Sequence, residues 1–383
     1  MPAGPGRSRI RNRTRRRRPA RGTSLPHRTT ASSSTSSRKH EPAGPAMTGA
    51  KLDFVPPRRL RHHHVQSIYP SLPLRRLGVE RRAAPLLHHA ADVLVDCGDG
   101  VRLLAHLTTQ ESLGLAPATR LAVLLHGWEG SANSLYLLSL GQQLLDAGYD
   151  VVRLNLRDHG DSHHLNQEIF HSCRIAEVVG AVHSLQQMNP GKRMVLAGFS
   201  LGGNFSLRVG ARAAAAGIHL SRIVAVCPVL DPEHTLVRLE QGWALYREYF
   251  IWKWRRSLRK KQQAWPDVYQ SLDDILGLGN LTDMTDRLAC RYGGFPSLTE
   301  YLRGYALVGK TLEPLEASPD TRVRLITAAD DPIIAASDLD RVARPPNLEI
   351  TLTRFGGHCG FYEGTSGPTW IEREIVATFE ADT

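Results

Sequence analysis

The sequence predicts an α/β domain built on a mostly parallel sheet flanked by helices, with a helical insertion late in the chain. Three observations carry this expectation. From residue 90 onward, short apolar runs alternate with stretches of helical periodicity, as strands joined by crossover helices do. Residues Met194 to Asn204 set a Gly-x-Ser-x-Gly turn between an apolar strand and a helix-favouring stretch. Between Asp231 and Pro319 the alternation breaks, and that stretch holds 12 of the chain's 25 aromatic residues, so it reads as an inserted cap.

Taken in order, Val93–Cys97 and Arg102–Leu107 flank Gly98-Asp99-Gly100, which signals a hairpin. Leu121–Leu125 is an apolar strand that runs into His126-Gly127-Trp128-Glu129-Gly130. A helix is expected over Ser134 to Ala147, stopped by Gly148. Val151–Leu156 is the next strand, followed by the polar loop Arg157 to Asn166. Ile175–Gln187 is amphipathic at helical spacing and closes at Asn189-Pro190-Gly191. Met194–Ala197 leads to Ser200, with the following helix expected from Asn204 to Ala216, and Ile223–Cys227 stops at Pro228. After the insertion come Val323–Thr327, Leu348–Thr353 and a last helix from Trp370 to Phe379. In such a sheet, ligands bind beyond the carboxyl ends of the strands, where all the candidate catalytic residues fall.

The net charge of +11 invites a nucleic-acid reading, so its location matters. Residues 1 to 50 hold twelve Lys/Arg against one acid, Glu41, while the remaining 333 residues hold 36 of each sign. The basic character belongs to a tail of residues 1–50, expected to be disordered, and the rest is neutral, which argues against nucleic acid as partner of the folded domain (51–383). The tail lacks the apolar segment of a secretory signal. Its Arg- and Ser-rich, acid-poor composition also suits a transit peptide or a tether to an acidic surface. The simpler reading takes residues 1–46 as an extension ahead of a working start at Met47. Five cysteines without paired spacing argue against a disulfide framework or a zinc site, and for a reducing, cytoplasmic setting. No run approaches the length of a membrane span.

Ser200 is the centre of the chemistry. A serine thrust out on a sharp strand-to-helix turn has an exposed hydroxyl, and the helix N-terminus sets backbone N–H groups beside it. The hydroxyl needs a base. His358, in Gly356-Gly357-His358-Cys359-Gly360 after the last strand, has the expected order and a loop free to bend back. The acid that orients it is expected at Asp331, with neighbouring Asp330 and the earlier Asp231 as alternatives. An oxyanion hole is expected from the N–H groups of Leu201 and Trp128, with His126 ordering its loop. The insertion supplies Trp243, Tyr246 and Phe250 as candidate substrate contacts. Its Lys253–Lys261 segment carries six Lys/Arg beside Trp252 and Trp254, which suits weak contact with an anionic membrane surface, although a solvated helix face is the plainer reading. His62-His63-His64 and His163-His164 lack partners at ligand spacing, so no metal is expected. No dinucleotide fingerprint or P-loop is present, so no cofactor is expected.

These residues resemble the YheT-like branch of α/β-hydrolase proteins. The resemblance rests on five segments in order: Leu60 to Pro70 with Arg75-Arg76 after it, His126 to Ser131, Gly198 to Asn204, Ala329 to Pro332, and Gly356 to Phe361. It covers residues 55 to 380 and implies an α/β-hydrolase fold and a serine hydrolase of esterase or lipase type, with Ser200, Asp331 and His358 as the triad. One loop departs from the family. Where its members carry an Arg-Gly-Cys-type loop after the third core strand, this chain reads Arg157-Asp158-His159-Gly160-Asp161-Ser162. That difference bears on substrate identity and leaves the triad residues in place. The expected function is therefore cleavage of small-molecule acyl esters through an acyl-serine. Transfer of the acyl group to an alcohol or thiol, and a non-catalytic binding module on the same fold, are the alternatives.

Overall fold

A computed structural model describes residues 54–364 and 367–381. The expectations for residues 1–50 lie outside the described residues. Eight strands form one sheet: β1 (Ala91–Asp96), β2 (Arg102–Thr108), β3 (Arg120–Leu125), β4 (Asp150–Leu154), β5 (Arg193–Phe199), β6 (Leu220–Val226), β7 (Arg322–Ala328) and β8 (Leu348–Thr353). Their spatial order is β1-β2-β4-β3-β5-β6-β7-β8, antiparallel at β1/β2 and β2/β4 and parallel from β4 onward. The β1–β2 hairpin turns through Gly98, Asp99 and Gly100, all with positive φ.

Twelve helices accompany the sheet among the described residues: α1 (His63–Ile68), α2 (Pro73–Arg82), α3 (Ala84–His88), α4 (Leu135–Asp146), α5 (Ile175–Met188), α6 (Leu201–Ala213), α7 (Pro232–Gln241), α8 (Ala244–Ala264), α9 (Asp273–Leu276), α10 (Leu281–Tyr292), α11 (Leu298–Arg303) and α12 (Trp370–Glu380). The central strands are covered on both faces, and their period-two side chains sort between two cores. On β3, Ala122 and Leu124 pack with Leu137, Leu140 and Leu144 of α4 and Ile371, Ile375 and Phe379 of α12. Leu121, Val123 and Leu125 face the other way, toward Val178, Ala181 and Val182 of α5 and Phe205 and Val209 of α6.

Helices α7 to α11 all fall between β6 and β7. Their apolar residues, among them Leu239, Ile251, Leu258 and Ile275, join the core on the α5/α6 side. This segment is fastened to the sheet by charge as well. Lys261 of α8 is buried and donates to Asp158 Oδ1 at 2.8 Å and to the carbonyl of Asn166 at 2.6 Å.

Two features differ from the sequence expectation. Helix α6 starts at Leu201, three residues before the expected Asn204, because Gly202 and Gly203 lie inside it and not in a loop. A Cβ on Gly202 would stand 2.4 Å from the Leu125 carbonyl, and one on Gly198 would stand 2.1 Å from the Gly202 carbonyl. These glycines let helix and strands approach closely. The chain is also helical well ahead of the first strand, in α1 to α3, where no element was expected.

Candidate active site

Ser200 links β5 to α6 on φ 55°, ψ −118°, a backbone region that a non-glycine residue enters only under constraint. Its N–H donates to the Val226 carbonyl at 2.8 Å, and its own carbonyl accepts from Asn204 N at 3.0 Å, which hold the turn from both sides. The strain leaves Oγ standing clear of the sheet edge. His358 Nε2 lies 3.0 Å from that Oγ, and His358 Nδ1 lies 2.8 Å from Asp331 Oδ2.

The three carboxylates considered for the acid separate cleanly. Asp331 uses its other oxygen, Oδ1, to accept the N–H groups of Ile333 and Ile334, at 2.8 and 3.0 Å. Its side chain is sealed from solvent, and Arg238 grips its carbonyl at 2.7 Å. Asp330 accepts the Gly357 N–H at 2.8 Å and so holds the histidine loop. Asp231 caps α7 and pairs with Arg341, away from His358. Burial opposes protonation of His358, but the Asp331 carboxylate and then Cys359 outweigh it and raise its pKa well above the usual value.

The amide N–H groups of Leu201 and Trp128 donate to no hydrogen bond among the described residues. The neighbouring Gly127 N–H is taken by the Tyr136 hydroxyl at 2.9 Å. A Cβ on Gly127 would lie 3.2 Å from Ser200 Cβ, so the loop after β3 presses against the serine. His126 accepts the Leu156 N–H on Nε2 at 3.1 Å and approaches the Gly127 carbonyl with Nδ1 at 2.8 Å. Burial, then His159, drive its pKa far down, so it is a neutral brace for this loop. His159 does the same from the other side, accepting Glu129 N–H at 3.2 Å. Burial also lifts the Glu129 carboxyl to about 8.

The loop that departs from the family pattern, Arg157 to Ser162, does not line the cavity over Ser200. Its Arg157, Asp158 and His159 are buried and tie the β3 loop to α8. Its difference is thus felt first in how the inserted helices are anchored.

The cavity above Ser200 has a volume of about 590 Å³. Its walls are largely aromatic and aliphatic, with Trp128, Tyr246, Phe250, Trp254, Tyr305 and Ile333 among them. Trp128 stacks on Phe250 at 5.1 Å and meets Trp254 edge-on at 5.0 Å. Of the three insertion aromatics singled out from the sequence, Tyr246 and Phe250 line this cavity. Trp243 does not, and is 46% exposed on the outside of the first turn of α8, packed against His64 and Tyr246.

The histidine-rich segment has a different task from ligation. His62 caps α1, and His64 Nδ1 contacts the Tyr246 hydroxyl at 2.9 Å. Ser67 Oγ accepts the His358 N–H at 2.8 Å and donates to the His63 carbonyl. Gln66 is fully buried, donates to the carbonyls of Leu60 and Tyr362, and accepts the Tyr362 N–H at 2.7 Å. Helix α1 is therefore the backstop of the histidine loop, a role the sequence reading missed. His163 Nε2 likewise contacts Ser257. Among the described residues, metal-ligating side chains cluster at Cys227, His358 and Cys359 and at Asp231, His234 and Asp338. Both His358 nitrogens are engaged in the first group, and Arg341 bridges the two carboxylates of the second.

A family model for the alpha/beta hydrolase fold matches residues 122–365, well over half of the chain. The chain belongs to the alpha/beta hydrolase fold family. Among curated hydrolase-fold proteins it is similar to YheT of Escherichia coli (strain K12), provisionally named an esterase, at 23% identity over 334 residues. That match spans 85% of this chain and 92% of YheT, which makes the chain a YheT-like hydrolase-fold protein. It is also similar to the Mus musculus phospholipase ABHD3, at 22% over 258 residues, or 63% of this chain and 58% of that one. The Homo sapiens monoacylglycerol lipase ABHD2 matches at 24% over 215 residues, 51% of this chain and 49% of that one. The chain thus spans about three-fifths of the first of those two relatives and about half of the second. Among solved structures, Est1E from Butyrivibrio proteoclasticus, with ferulic acid bound, is similar at 15% identity and a TM-score of 0.48, covering 75% of this chain and 99% of that one.

Proposed function

We propose that this protein is a serine hydrolase that cleaves carboxylic esters, with Ser200 as nucleophile, His358 as base and Asp331 as the acid that orients it. One observation carries this reading: an unbroken hydrogen-bonded line from Asp331 through His358 to a serine held at φ 55° under an apolar cavity. A serine that only capped its helix would need neither the backbone strain nor a buried histidine–carboxylate pair behind it. Of the relatives named above, YheT is provisionally named an esterase and ABHD2 a monoacylglycerol lipase, names that denote ester cleavage, and ABHD3 is named a phospholipase, which agrees.

Ser200 Oγ attacks the acyl carbonyl as His358 Nε2 takes its proton, and the resulting imidazolium is stabilised by Asp331. Negative charge gathers on the carbonyl oxygen, where the unengaged N–H groups of Leu201 and Trp128 can meet it. His358 then returns its proton to the departing alcohol, leaving the acyl group on Ser200. Water, activated by the same imidazole, releases the acid. An acyl chain has the apolar cavity beside Trp128 and Phe250 to occupy. The exposed face of α8 at the rim fits a peripheral contact with an anionic lipid surface, from which such a substrate is drawn.

The decisive experiment pairs fluorophosphonate labelling with hydrolysis of p-nitrophenyl esters. Wild type should label at Ser200 and turn over. Ser200→Ala should lose the label and about 10³-fold or more in kcat/KM. Equal labelling and turnover in both proteins would reject the assignment.

A further inference from the structure

Two cysteines beside His358 have no part in ester cleavage. Cys227 follows β6 on φ 43°, and Cys359 follows His358 on φ 61°. Two non-glycine residues are thus held in left-handed backbone on facing loops, which requires their surroundings to fix them. Cys227 Sγ accepts the Cys359 N–H at 3.4 Å, and the two sulfurs and a His358 ring nitrogen all lie within 4.8 Å of one another. Their exposure differs. Cys359 lies on the wall of the cavity, whereas Cys227 is fully buried behind it. A thiol open to small molecules, backed by a second one that is sealed, is the arrangement of a sensing and a resolving cysteine. Burial pushes the Cys359 thiol up, but the hydrogen bond from Cys227 and the adjacent His358 outweigh it and bring it down to about 6. That shift favours the thiolate, the reactive form.

We propose that Cys359 and Cys227 form a hydroperoxide-driven disulfide switch that turns the hydrolase off by displacing His358 from Ser200. The inference rests on His358 acting as the base for Ser200. The Cys359 thiolate attacks one oxygen of the hydroperoxide, and the O–O bond breaks. The sulfur is oxidised to a sulfenic acid, and the other oxygen leaves as hydroxide or alkoxide, which takes a proton from water. The Cys227 thiol then attacks the Cys359 sulfur and passes its proton to the sulfenic oxygen. The S–O bond breaks, water departs and the disulfide forms. Bringing the sulfurs to ~2.05 Å draws Cys359 toward β6, and its covalent neighbour His358 moves with it. A dithiol reverses the bond by exchange.

The test treats the full chain with hydrogen peroxide and reads three signals: non-reducing peptide mapping, fluorophosphonate labelling and p-nitrophenyl ester hydrolysis. Wild type should give a peptide joining Cys227 to Cys359, lose roughly tenfold or more in hydrolysis, and recover with dithiothreitol. Cys227→Ala, its fold checked by melting temperature, has no resolving thiol. It should form no such peptide, carry Cys359 onward to sulfinic acid, and lose activity that dithiothreitol does not restore. No joined peptide in wild type under peroxide that oxidises exposed Cys290, or equal reversible loss in Cys227→Ala, would overturn the switch. A protein that joins the two cysteines yet never labelled before oxidation would instead overturn the reading of Ser200, and with it the effect of the switch on catalysis.

Discussion

Neutral His358 can accept the Ser200 proton, and the imidazolium cannot. Asp331 opposes the effect of burial and, with Cys359, holds the His358 pKa well above 6.5. The neutral fraction therefore grows only as pH rises through that elevated value. Hydrolysis, read as kcat/KM, should climb with pH along an acid limb whose midpoint lies above 6.5, and should fall away below it. Asp331→Asn removes the charge that stabilises the imidazolium, so the midpoint should move down while kcat drops by about 10⁴-fold. A midpoint that stays put in Asp331→Asn would show that another group sets it. The sequence pointed to Asp331 and left Asp330 open, because the two are adjacent and chemically identical. The choice comes from the turn. Ile333 and Ile334 amides engage one oxygen of Asp331 and leave the other for His358, while Asp330 is committed to the Gly357 amide.

Local pattern told most about the elements of the sheet and least about those that meet the site from far along the chain. Strands β3, β5, β6 and β7 are buried almost throughout, so their apolar runs stand out in the sequence. Helix α1 has no apolar periodicity, and its run of histidines lacks the partners at ligand spacing that would point to a metal. Its reason lies in a loop nearly three hundred residues away, where Ser67 accepts the His358 N–H. Ser67→Ala should leave His358 less well aimed and lower kcat by roughly tenfold, with KM little changed and Ser67→Thr restoring most of it. A change confined to KM would place Ser67 in substrate contact. Helix α8 was legible as basic and aromatic, but not as anchored, because the buried pair of Lys261 and Asp158 joins segments a hundred residues apart. Removing one member strands the other charge. Lys261→Ala should cost about 3–5 kcal/mol in denaturant unfolding, and Lys261→Met with Asp158→Asn, which keeps an acceptor for the Phe170 N–H and tolerates the positive φ of 56°, should recover much of that loss. An additive double variant would show that the two groups do not act as a pair.

At the scale of the whole molecule, the charge imbalance and the outer face of α8 make separable claims. Residues 51–383 carry equal numbers of acids and bases, so any attraction to an anionic surface must come from local arrangement or from the +11 of residues 1–50. Along α8, Leu245, Tyr249, Trp252, Arg256 and Arg259 recur at helical spacing and are all exposed, three apolar residues followed by two cations. Leu245 and Tyr249 also line the cavity, so this stripe borders the entrance to Ser200. Interfacial helices combine these two features, aromatic and aliphatic side chains to enter the headgroup layer and arginines to meet lipid charge. No helix among the described residues is long and apolar enough to cross a membrane. A chain beginning at Met47 removes the tail and leaves the stripe. It should remain soluble and active, and should still bind vesicles rich in phosphatidylserine more tightly than neutral ones, with binding that weakens as salt is added. Each arginine near an anionic bilayer contributes about 1 kcal/mol, so Arg256→Gln with Arg259→Gln should weaken that binding roughly thirtyfold. Trp252→Ser should instead reduce partition into neutral vesicles while leaving the salt dependence intact. If vesicle binding disappears with the first 46 residues, the attraction belongs to the tail, and α8 is a solvated cap helix whose arginines face only water.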